Sequence, residues 1–494
     1  MSRESEKIFD GITGVGEDLI EAAQEPVKKR RVWLKWCAAA AALMLVAGGL
    51  FVMLRGGSPD GNDALKPYRI ATVAYPKTVQ RPNMADYTRL DGQYDYEAYI
   101  RARQEWNEST QGKWKETSVY RGKLDGFLTT SIPMFLDGEV GENRAYSPLN
   151  VYLALAMLAE ATGGESRAQL LSLLGVSDTA ELQQYAAALW NVNYVDDGMS
   201  ASILSSSLWL NKDIGFVQQT MDTLASDYRA SSYRGEMGSA GFNEALRQWL
   251  NESTGGLLFN QVEGVELSSD TLLAILTAVY LRAPWVSEFD TARTETGTFH
   301  ASSGDMTCDF LHGWADSSYY WGDRFSAVVK QLTLGTGQSE MWFILPDEGV
   351  TPEELTYDDE LLRFLLTEKT KWQNSAHATV LLHVPKFDVS SETDLVGGLK
   401  ALGMTNVFDP GTADFTPMLE NADELLPYVS KAVHAARVSI DEEGIVAAAY
   451  TEIDVPSGGM PPKDEVDFTL DRPFLFVITG MDQLPLFVGI VNKP

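Results

Sequence analysis

Residues 442–460 read EEGIVAAAYTEIDVPSGGM, a segment in which loop signals and strand periodicity coincide. One glycine, three alanines and a Pro-Ser-Gly-Gly cluster are typical of a loop. The residues between them alternate with a period of two, as in a strand with one buried face and one solvent face. The apolar face carries Ile445, Ala447, Ala449, Thr451, Ile453 and Val455, whereas Glu452 and Asp454 lie on the other. From the pattern alone, a permanent edge strand or hairpin is as good an interpretation as a strand that enters a sheet later.

The hydrophobic periodicity of the remaining chain predicts helices mainly in the first half and strands in the second. Predicted helices lie at 96–107, 151–160, 245–252 and 394–402. Predicted strands lie at 272–282, 341–345, 378–384, 436–440, 466–470, 474–479 and 486–491. This order indicates an α+β domain of about 370 residues.

Composition excludes several functional classes. The 494 residues carry 39 Lys and Arg against 69 Asp and Glu, a net charge of −30, which argues against nucleic-acid binding. Two cysteines, Cys37 and Cys308, are too few for a disulfide framework or a four-cysteine zinc site. We therefore expect no metal and no cofactor.

Residues 36–54, WCAAAAALMLVAGGLFVML, carry no charge and match the length of a membrane-spanning helix. Lys28, Lys29, Arg30, Arg31 and Lys35 precede this span, and the positive-inside rule then places the N-terminus in the cytoplasm. No signal-peptide cleavage site follows the apolar run, so we expect an uncleaved anchor.

The predicted organisation has four parts. Residues 1–35 form a cytoplasmic tail, 36–54 a transmembrane helix, 55–122 a linker or stalk segment, and 123–494 the main domain. The segment after the linker, 65–122, is polar and rich in aromatic residues, and it either packs on the main domain or serves as a stalk.

No enzyme motif occurs in the chain. It contains no G-x-S-x-G, no H-E-x-x-H and no phosphate loop, and its five histidines are scattered. His377 and His383 fall on one face of a predicted strand, but a metal site needs three or four convergent ligands.

Six spaced motifs, from about Leu124 to Pro494, resemble the serpin family. They are YSPLNVYLALAMLAEATGGESRAQLLSLLG (146–175), WLNESTGG (249–256), LTAVYLRAPWVSEFD (276–290), PKFDVSSETDLVGGLKALGMTNVFD (385–409), VSKAVHAARVSIDEEG (429–444) and DRPFLFVITGMDQLPLFVGIVNKP (471–494). The resemblance implies a serpin-like α+β fold with a large central mixed sheet, smaller sheets and an exposed reactive loop.

The resemblance also implies a mechanism. A target protease cleaves the loop of a serpin and forms an acyl-enzyme, and the cut loop then inserts into the central sheet as an extra strand. The insertion drags the protease across the molecule and distorts its active site. The alternating pattern of 445–455 is what such an insertion requires.

Three groups of residues receive roles from the resemblance. The hinge of the loop is Glu442, Glu443, Gly444, Ile445, Val446, Ala447, Ala448 and Ala449. The scissile region is Ser457, Gly458, Gly459 and Met460. The cluster that controls sheet opening is Ser147, Asn150, Thr277, Trp285 and His434, with Trp285 near the point where insertion begins.

The chain departs from the family pattern at a few of these positions. Ile445 and Val446 replace the usual Thr-Glu pair, Asn150 replaces a Ser and Thr277 replaces an Asn. An apolar Ile445 is compatible with insertion, since an unpaired charge on the inward face would cost several kcal/mol.

The spacing between hinge and scissile bond that the resemblance implies places the bond at Gly458–Gly459. Counting back from Phe468 places it one residue later, at Gly459–Met460. Neither count puts Arg or Lys before the bond, so the expected partners are elastase-like or subtilisin-like serine proteases, or papain-like cysteine proteases.

The functional hypothesis is a monomeric, membrane-tethered protease inhibitor at the outer face of the plasma membrane, and the basic-flanked anchor and scarce cysteine favour a bacterial cell. The alternative is a non-inhibitory binding or adhesion module on the same scaffold, because a fold alone does not fix a function.

Overall fold

The computed structural model describes residues 63–88, 93–110, 112–255, 265–420, 422–445 and 464–494. The predicted tail and transmembrane helix, 1–54, and the loop residues 446–463 lie outside the described residues. Within the described part of the chain, no helix is long and apolar enough to cross a membrane.

Several helices of the described residues begin at a proline or after a side chain that caps the first turn. Helix α4 starts at Pro148, whose fixed backbone angle suits the first turn, and every residue of it except Glu160 is buried. The helices are α1 (Tyr96–Thr110), α2 (Thr117–Tyr120), α3 (Asp125–Leu136), α4 (Pro148–Ala161), α5 (Gly164–Leu174), α6 (Thr179–Asn193), α7 (Gln218–Ser226), α8 (Ala240–Ser253), α9 (Pro352–Thr356), α10 (Asp359–Leu366), α11 (Val396–Ala401) and α12 (Ala422–Leu425).

The strands include all those predicted within the described residues, and several more. They are β1 (Arg69–Ala71), β2 (Arg144–Tyr146), β3 (Val195–Asp196), β4 (Ala201–Asn211), β5 (Ala230–Gly235), β6 (Leu273–Pro284), β7 (Glu295–Ala301), β8 (Gly304–Trp321), β9 (Phe325–Leu334), β10 (Gly337–Pro346), β11 (Ser375–Pro385), β12 (Asp388–Asp394), β13 (Val429–Ser439), β14 (Gly444–Ile445), β15 (Glu465–Thr469), β16 (Phe474–Thr479) and β17 (Pro485–Val491). Strands β1 to β5, β7 to β9 and β12 were not predicted from the sequence.

The central sheet is mixed, with the order β1-β5-β4-β6-β13-β12. Strands β6 and β13 are parallel neighbours, and we call the boundary between them the seam. Their ladder ends at the pair Ala278–Ala435, although β6 continues to Pro284 and β13 to Ser439. Over the described residues, the seam is therefore closed at one end and unpaired at the other.

The second sheet has the order β15-β11-β8-β9-β10-β16-β17-β2, with β7 paired to β8. Its strand β15 directly follows the loop and runs parallel to β11 at the edge of the sheet. The two sheets and the buried helix α4 produce the mixed α+β fold that the sequence predicts.

The described residues between 63 and 122 pack on the main domain. Strand β1 extends the central sheet at its β5 edge, and the Tyr120 hydroxyl donates a hydrogen bond of 2.9 Å to the buried Asp482 carboxylate. Of the two arrangements left open for this segment, the described residues adopt the packed one.

Candidate functional site

The segment predicted to be the hinge of the reactive loop is fixed to the end of β6 by backbone hydrogen bonds. The Trp285 N–H donates to the Glu443 carbonyl and the Phe289 N–H donates to the Glu442 carbonyl, both at 2.9 Å. The Trp285 indole Nε1–H donates to the Asp441 carbonyl, also at 2.9 Å. The chain is thus held on β6 just before the loop begins.

Glycine is required at position 444 by the closeness of β6. Strand β14 pairs antiparallel with β6, Gly444 opposite Pro284 and Ile445 opposite Ala283. A Cβ at position 444 would lie 2.5 Å from the Ala283 carbonyl oxygen and 2.6 Å from the Pro284 Cα. Any side chain would therefore push the hinge off the strand.

The Glu442 carboxylate anchors the hinge to Lys386 and Thr294, which are distant from it in the chain. It accepts hydrogen bonds from the Lys386 ammonium at 2.6 Å and from the Thr294 hydroxyl at 2.7 Å. Burial raises its pKa, but these hydrogen bonds outweigh burial and leave the pKa of Glu442 below its usual value. Glu442 is therefore ionised at neutral pH and neutralises Lys386.

Trp285 is part of a small aromatic cluster under the hinge. Its ring meets that of Phe289 edge to face with centroids 5.8 Å apart, and the Lys330 ammonium lies 4.1 Å from the Phe289 centroid and 5.4 Å from that of Trp285. Such cation–π contacts fix the orientation of both rings. The indole is consequently held where its N–H reaches the hinge.

A second cluster lies beneath the closed end of the seam. His434 is fully buried, its Nε2 accepts from the Ser147 backbone N–H at 3.0 Å, and its Nδ1 lies 2.8 Å from the Thr277 hydroxyl oxygen. Since Nε2 is an acceptor, the imidazole is neutral and its Nδ1–H donates to Thr277. Burial lowers the pKa of His434 to about 3, which keeps the ring neutral.

Asn150 contributes to the same cluster from helix α4. Its Nδ2 donates to the carbonyl of Ala278, the last β6 residue in the ladder, at 3.1 Å. The structure thus brings Ser147, Asn150, Thr277 and His434 together and places Trp285 at the opposite end of the unpaired part of the seam. The five residues grouped from sequence form two separate sets.

An apolar cavity adjoins this cluster between α4 and the seam. It is lined from α4 by Val151, Leu155 and Leu158, and from the two seam strands by Ile275 and Val433. No polar side chain except that of Thr277 contributes to its wall, and the cavity is about the size of one water molecule, so it lies as a small apolar void beside the seam.

Helix α8 covers the other face of the sheet. Its buried residues Phe242, Leu246 and Trp249 pack in one apolar cluster with Leu276 of β6 and Ala435 of β13. The apolar cluster that contains α8 therefore includes residues from both strands of the seam.

The hinge residues Glu442, Glu443, Gly444 and Ile445 are described. The other predicted loop residues, Val446, Ala447, Ala448, Ala449, Ser457, Gly458, Gly459 and Met460, lie outside the described residues. Sequence reasoning missed Lys386, Phe289 and Lys330, because their contacts join residues that are far apart in the chain and no local pattern marks them.

A histidine pair on the second sheet joins residues that were not grouped from the sequence. His377 and His383 share a face of β11, but His383 lies opposite His312 on β8, and their Nδ1 atoms are in hydrogen-bond contact. Within the described ranges, no group of three or more His, Cys, Asp or Glu side chains is placed to hold a metal ion.

Comparison with known proteins is consistent with this geometry. A family model described as serpin (serine protease inhibitor) matches residues 129–494. Alpha-1-antitrypsin of Meriones unguiculatus is 28% identical over 362 residues, covering 71% of this chain and 84% of that protein. Serpin-ZX of Arabidopsis thaliana is 26% identical over 366 residues, covering 71% of this chain and 92% of that protein.

A solved structure shows the same fold. The thermophilic serpin tengpin, in its native state, matches with a TM-score of 0.67 at 23% identity, covering 76% of this chain and 94% of that one.

Proposed function

The chain belongs to the serpin family, and from that membership we propose that it traps a target protease as a suicide inhibitor. Family membership supports a protease-inhibitor type of function in general. The finer proposal is that cleavage in the loop 446–463 lets residues 445–455 insert into the seam as a strand antiparallel to both neighbours. The bound acyl-enzyme is then carried away from the loop and its active site is distorted.

The proposal is carried by the agreement of three strand registers: Ile445 with β6, Ile445 with Ile440, and β6 with β13. Ile445 already pairs with Ala283 at the end of β6 and bridges to Ile440 just after β13. If either pairing continues toward the N-terminal ends of β6 and β13, it places Tyr450 opposite both Ala278 and Ala435. These two residues are paired with each other in the present sheet. A strand that continues from Ile445 therefore fits between β6 and β13 without a shift.

The same register assigns a place to each inward side chain, because paired residues share a face of the sheet. Thr451 falls between Thr277 and His434, whose hydrogen bond must break when the strands part, and its hydroxyl can replace the lost partner. Ile453 falls between Ile275 and Ala432, both of which line the apolar cavity. The inserted strand thus fills a cavity and re-forms a buried hydrogen bond.

The departure at Ile445 is compatible with this mechanism. Its side chain is 1% exposed in the paired hinge, so the position is already apolar and buried before any cleavage. Thr, the usual residue, would bring a hydroxyl to the same place. We therefore propose that Ile445 favours the entry of the strand.

We also propose that residues 36–54 anchor the inhibitor in a plasma membrane, with the serpin domain at the outer face, and that the cell is bacterial. The support is the uncharged span and the basic residues before it. The test is extraction of cell membranes at alkaline pH, which should leave the full chain in the pellet and release a Leu45→Arg, Leu50→Arg variant. Equal release of both chains would reject the anchor.

The proposed targets are elastase-like or subtilisin-like serine proteases, or papain-like cysteine proteases, acting on a monomer. The support is again the sequence of the scissile region, where small residues precede either candidate bond. Gly458–Gly459 and Gly459–Met460 differ in the mass of the released C-terminal peptide, so mass spectrometry assigns the bond.

The test compares two variants that add the same charge to opposite faces of the loop strand. In the proposed register Ala449 faces helix α4, beside the buried Val279 and Ala436. Ala448 lies on the opposite face, beside Tyr280 and the partly exposed Arg437, whose guanidinium can neutralise an added carboxylate. Each protein is incubated with proteases of the three classes and run on denaturing gels. The wild type and Ala448→Glu should form an SDS-resistant adduct, while Ala449→Glu should be cleaved like a substrate, because a buried unpaired carboxylate blocks insertion.

Two results would contradict the proposal. Adduct formation by Ala449→Glu equal to that of Ala448→Glu would reject the register. Clean cleavage of the wild type by every protease, with no adduct, would reject inhibition and favour the binding-module alternative.

A further inference from the structure

The segment 63–75, which we call the sheet strap, connects helix α8 to the edge of the central sheet. It precedes residue 129, at which the match to the family model begins. Its sequence, DALKPYRIATVAY, combines a short helical turn at Lys66–Tyr68 with strand β1.

The first half of the sheet strap is packed on α8. Leu65 is 1% exposed and belongs to the apolar cluster formed by α8 and the sheet, and the Tyr68 ring lies 4.9 Å from that of Phe242. The Ala64 N–H donates to the Gln248 side-chain oxygen at 3.0 Å. A Cβ on Gly241 would lie 2.8 Å from the Tyr68 hydroxyl, so the two segments are in close contact.

The second half of the sheet strap is fixed to the sheet. Strand β1 pairs with β5, Arg69 opposite Tyr233 and Ala71 opposite Ser232. Beyond β1, the Val73 N–H donates to the Ser231 hydroxyl at 3.3 Å, and the hydroxyl oxygens of Tyr75 and Ser205 are 3.2 Å apart. The sheet strap is therefore anchored to β5 and β4, on the β6 side of the seam.

Insertion of a strand has to change the contacts of α8. Neighbouring strands lie about 4.8 Å apart, so one additional strand moves β6 and β13 apart by roughly that distance. Helix α8 shares one apolar cluster with Leu276 of β6 and Ala435 of β13, and this cluster cannot stay intact once a strand lies between those two residues. The helix must slide or lift, and its contacts with Leu65 and Tyr68 oppose that movement.

We propose that the sheet strap is a brake on loop insertion: it holds α8 over the seam and thereby slows the parting of β6 and β13. The inference rests on the proposed function, since it concerns the rate of the same insertion. The acyl-enzyme is either trapped by insertion of the loop or hydrolysed. A slower insertion leaves more time for hydrolysis to release the protease, so the brake lowers the fraction that is trapped.

The test measures insertion separately from proteolysis, in the full chain. A synthetic peptide with the sequence of residues 445–455 is added, and its incorporation is followed over time by native electrophoresis. Leu65→Ala removes the buried contact, and Tyr68→Ala is a milder variant at a half-buried position, in case the first fails to fold. Tyr96→Ala, on the 60% exposed side chain of Tyr96 in α1, is the matched control from the same extension.

We expect Leu65→Ala to incorporate the peptide about tenfold faster than the wild type, Tyr68→Ala severalfold faster, and Tyr96→Ala at the wild-type rate. Equal rates in the wild type and in both strap variants, with incorporation occurring in all, would overturn the brake and leave the proposed inhibition intact. No incorporation in any protein, together with no gain of stability after loop cleavage, would overturn the proposed function and the brake with it.

Discussion

His434 joins the two strands of the seam from beneath. Its ring is carried by β13, donates to Thr277 of β6, and accepts from the backbone of Ser147 at the start of α4. One neutral imidazole therefore connects three elements that move relative to each other in the proposed mechanism. The consequence is that small changes at this residue act on the closure of the whole sheet.

At the residue scale, Thr277→Val should destabilise the native protein by about 1–3 kcal/mol. The substitution keeps the shape of the side chain but leaves the buried Nδ1–H of His434 without an acceptor. Thermal unfolding measures the loss, and Thr277→Ser, which keeps the hydroxyl, is the control. If Val and Ser give the same unfolding temperature, the hydrogen bond does not contribute to closure of the seam.

The lowered pKa of His434 predicts a pH dependence of defined sign. An unfolded histidine binds a proton below about pH 6.5, whereas native His434 does so only near pH 3. The unfolded state therefore binds one more proton in this window, and stability falls by about 1.4 kcal/mol per pH unit as the pH drops from 6 toward 3.

Calorimetric unfolding at pH 5, in two buffers of different ionisation enthalpy, counts the protons taken up. The wild type should take up about one proton more than His434→Gln. An equal uptake by both proteins would mean that the native imidazole is already charged at that pH.

The face of the seam whose residues cluster with helix α8 determines which charges the inserted strand can carry. The alternating pattern of the loop predicts that the face with Glu452 and Asp454 is exposed to solvent. In the proposed register, however, Glu452 falls beside Leu276, which is 1% exposed under α8. Asp454 falls beside Lys431, whose ammonium donates to the Glu266 carbonyl at 2.9 Å and is within reach of a new partner.

Glu452→Ala should therefore speed insertion more than Asp454→Ala does. The first substitution removes a charge that must pass beneath an apolar helix face, and the second removes a charge that Lys431 can neutralise. The fraction of protease trapped per loop cleaved measures the difference. A larger effect of Asp454→Ala would show that the register, or the cover by α8, is misassigned.

Local sequence signals predict the elements with simple patterns, although periodicity alone leaves 272–282 open between strand and helix and the β-prone Val279, Tyr280 and Leu281 decide for a strand. The apolar run of β6 and the Ser-Pro start of α4 were read from the sequence, and both elements occupy the centre of the molecule. Strand β4 was missed because its Ser205, Ser206 and Ser207 read as a loop, although all three are buried in the sheet.

The contacts of the site could be predicted only in part. The resemblance to the family named His434 and Thr277, but not the hydrogen-bond directions or the separation of Trp285 from them. The ion pair between Lys386 and Glu442 joins two residues that are distant in the chain, so it depends on the sheet topology and leaves no local signal.

At the scale of the whole molecule, the structure has the features of a fold that can still gain stability. The seam is unpaired at one end, Ile445 has begun a strand there, and a cavity lies ahead of it. The sheet strap and the His434 cluster hold this arrangement from the two faces of the sheet. In the proposed mechanism, cleavage of the loop supplies the free strand that completes it.

The most direct test is the thermal stability of the protein before and after a single cut in the loop 446–463. The proposed insertion predicts a large rise in the unfolding temperature after the cut, because an added central strand completes the ladder of β6 and β13 and fills the cavity. An unchanged or lower unfolding temperature in the cut protein, with the bond shown to be cleaved by mass spectrometry, would contradict insertion and with it the suicide mechanism.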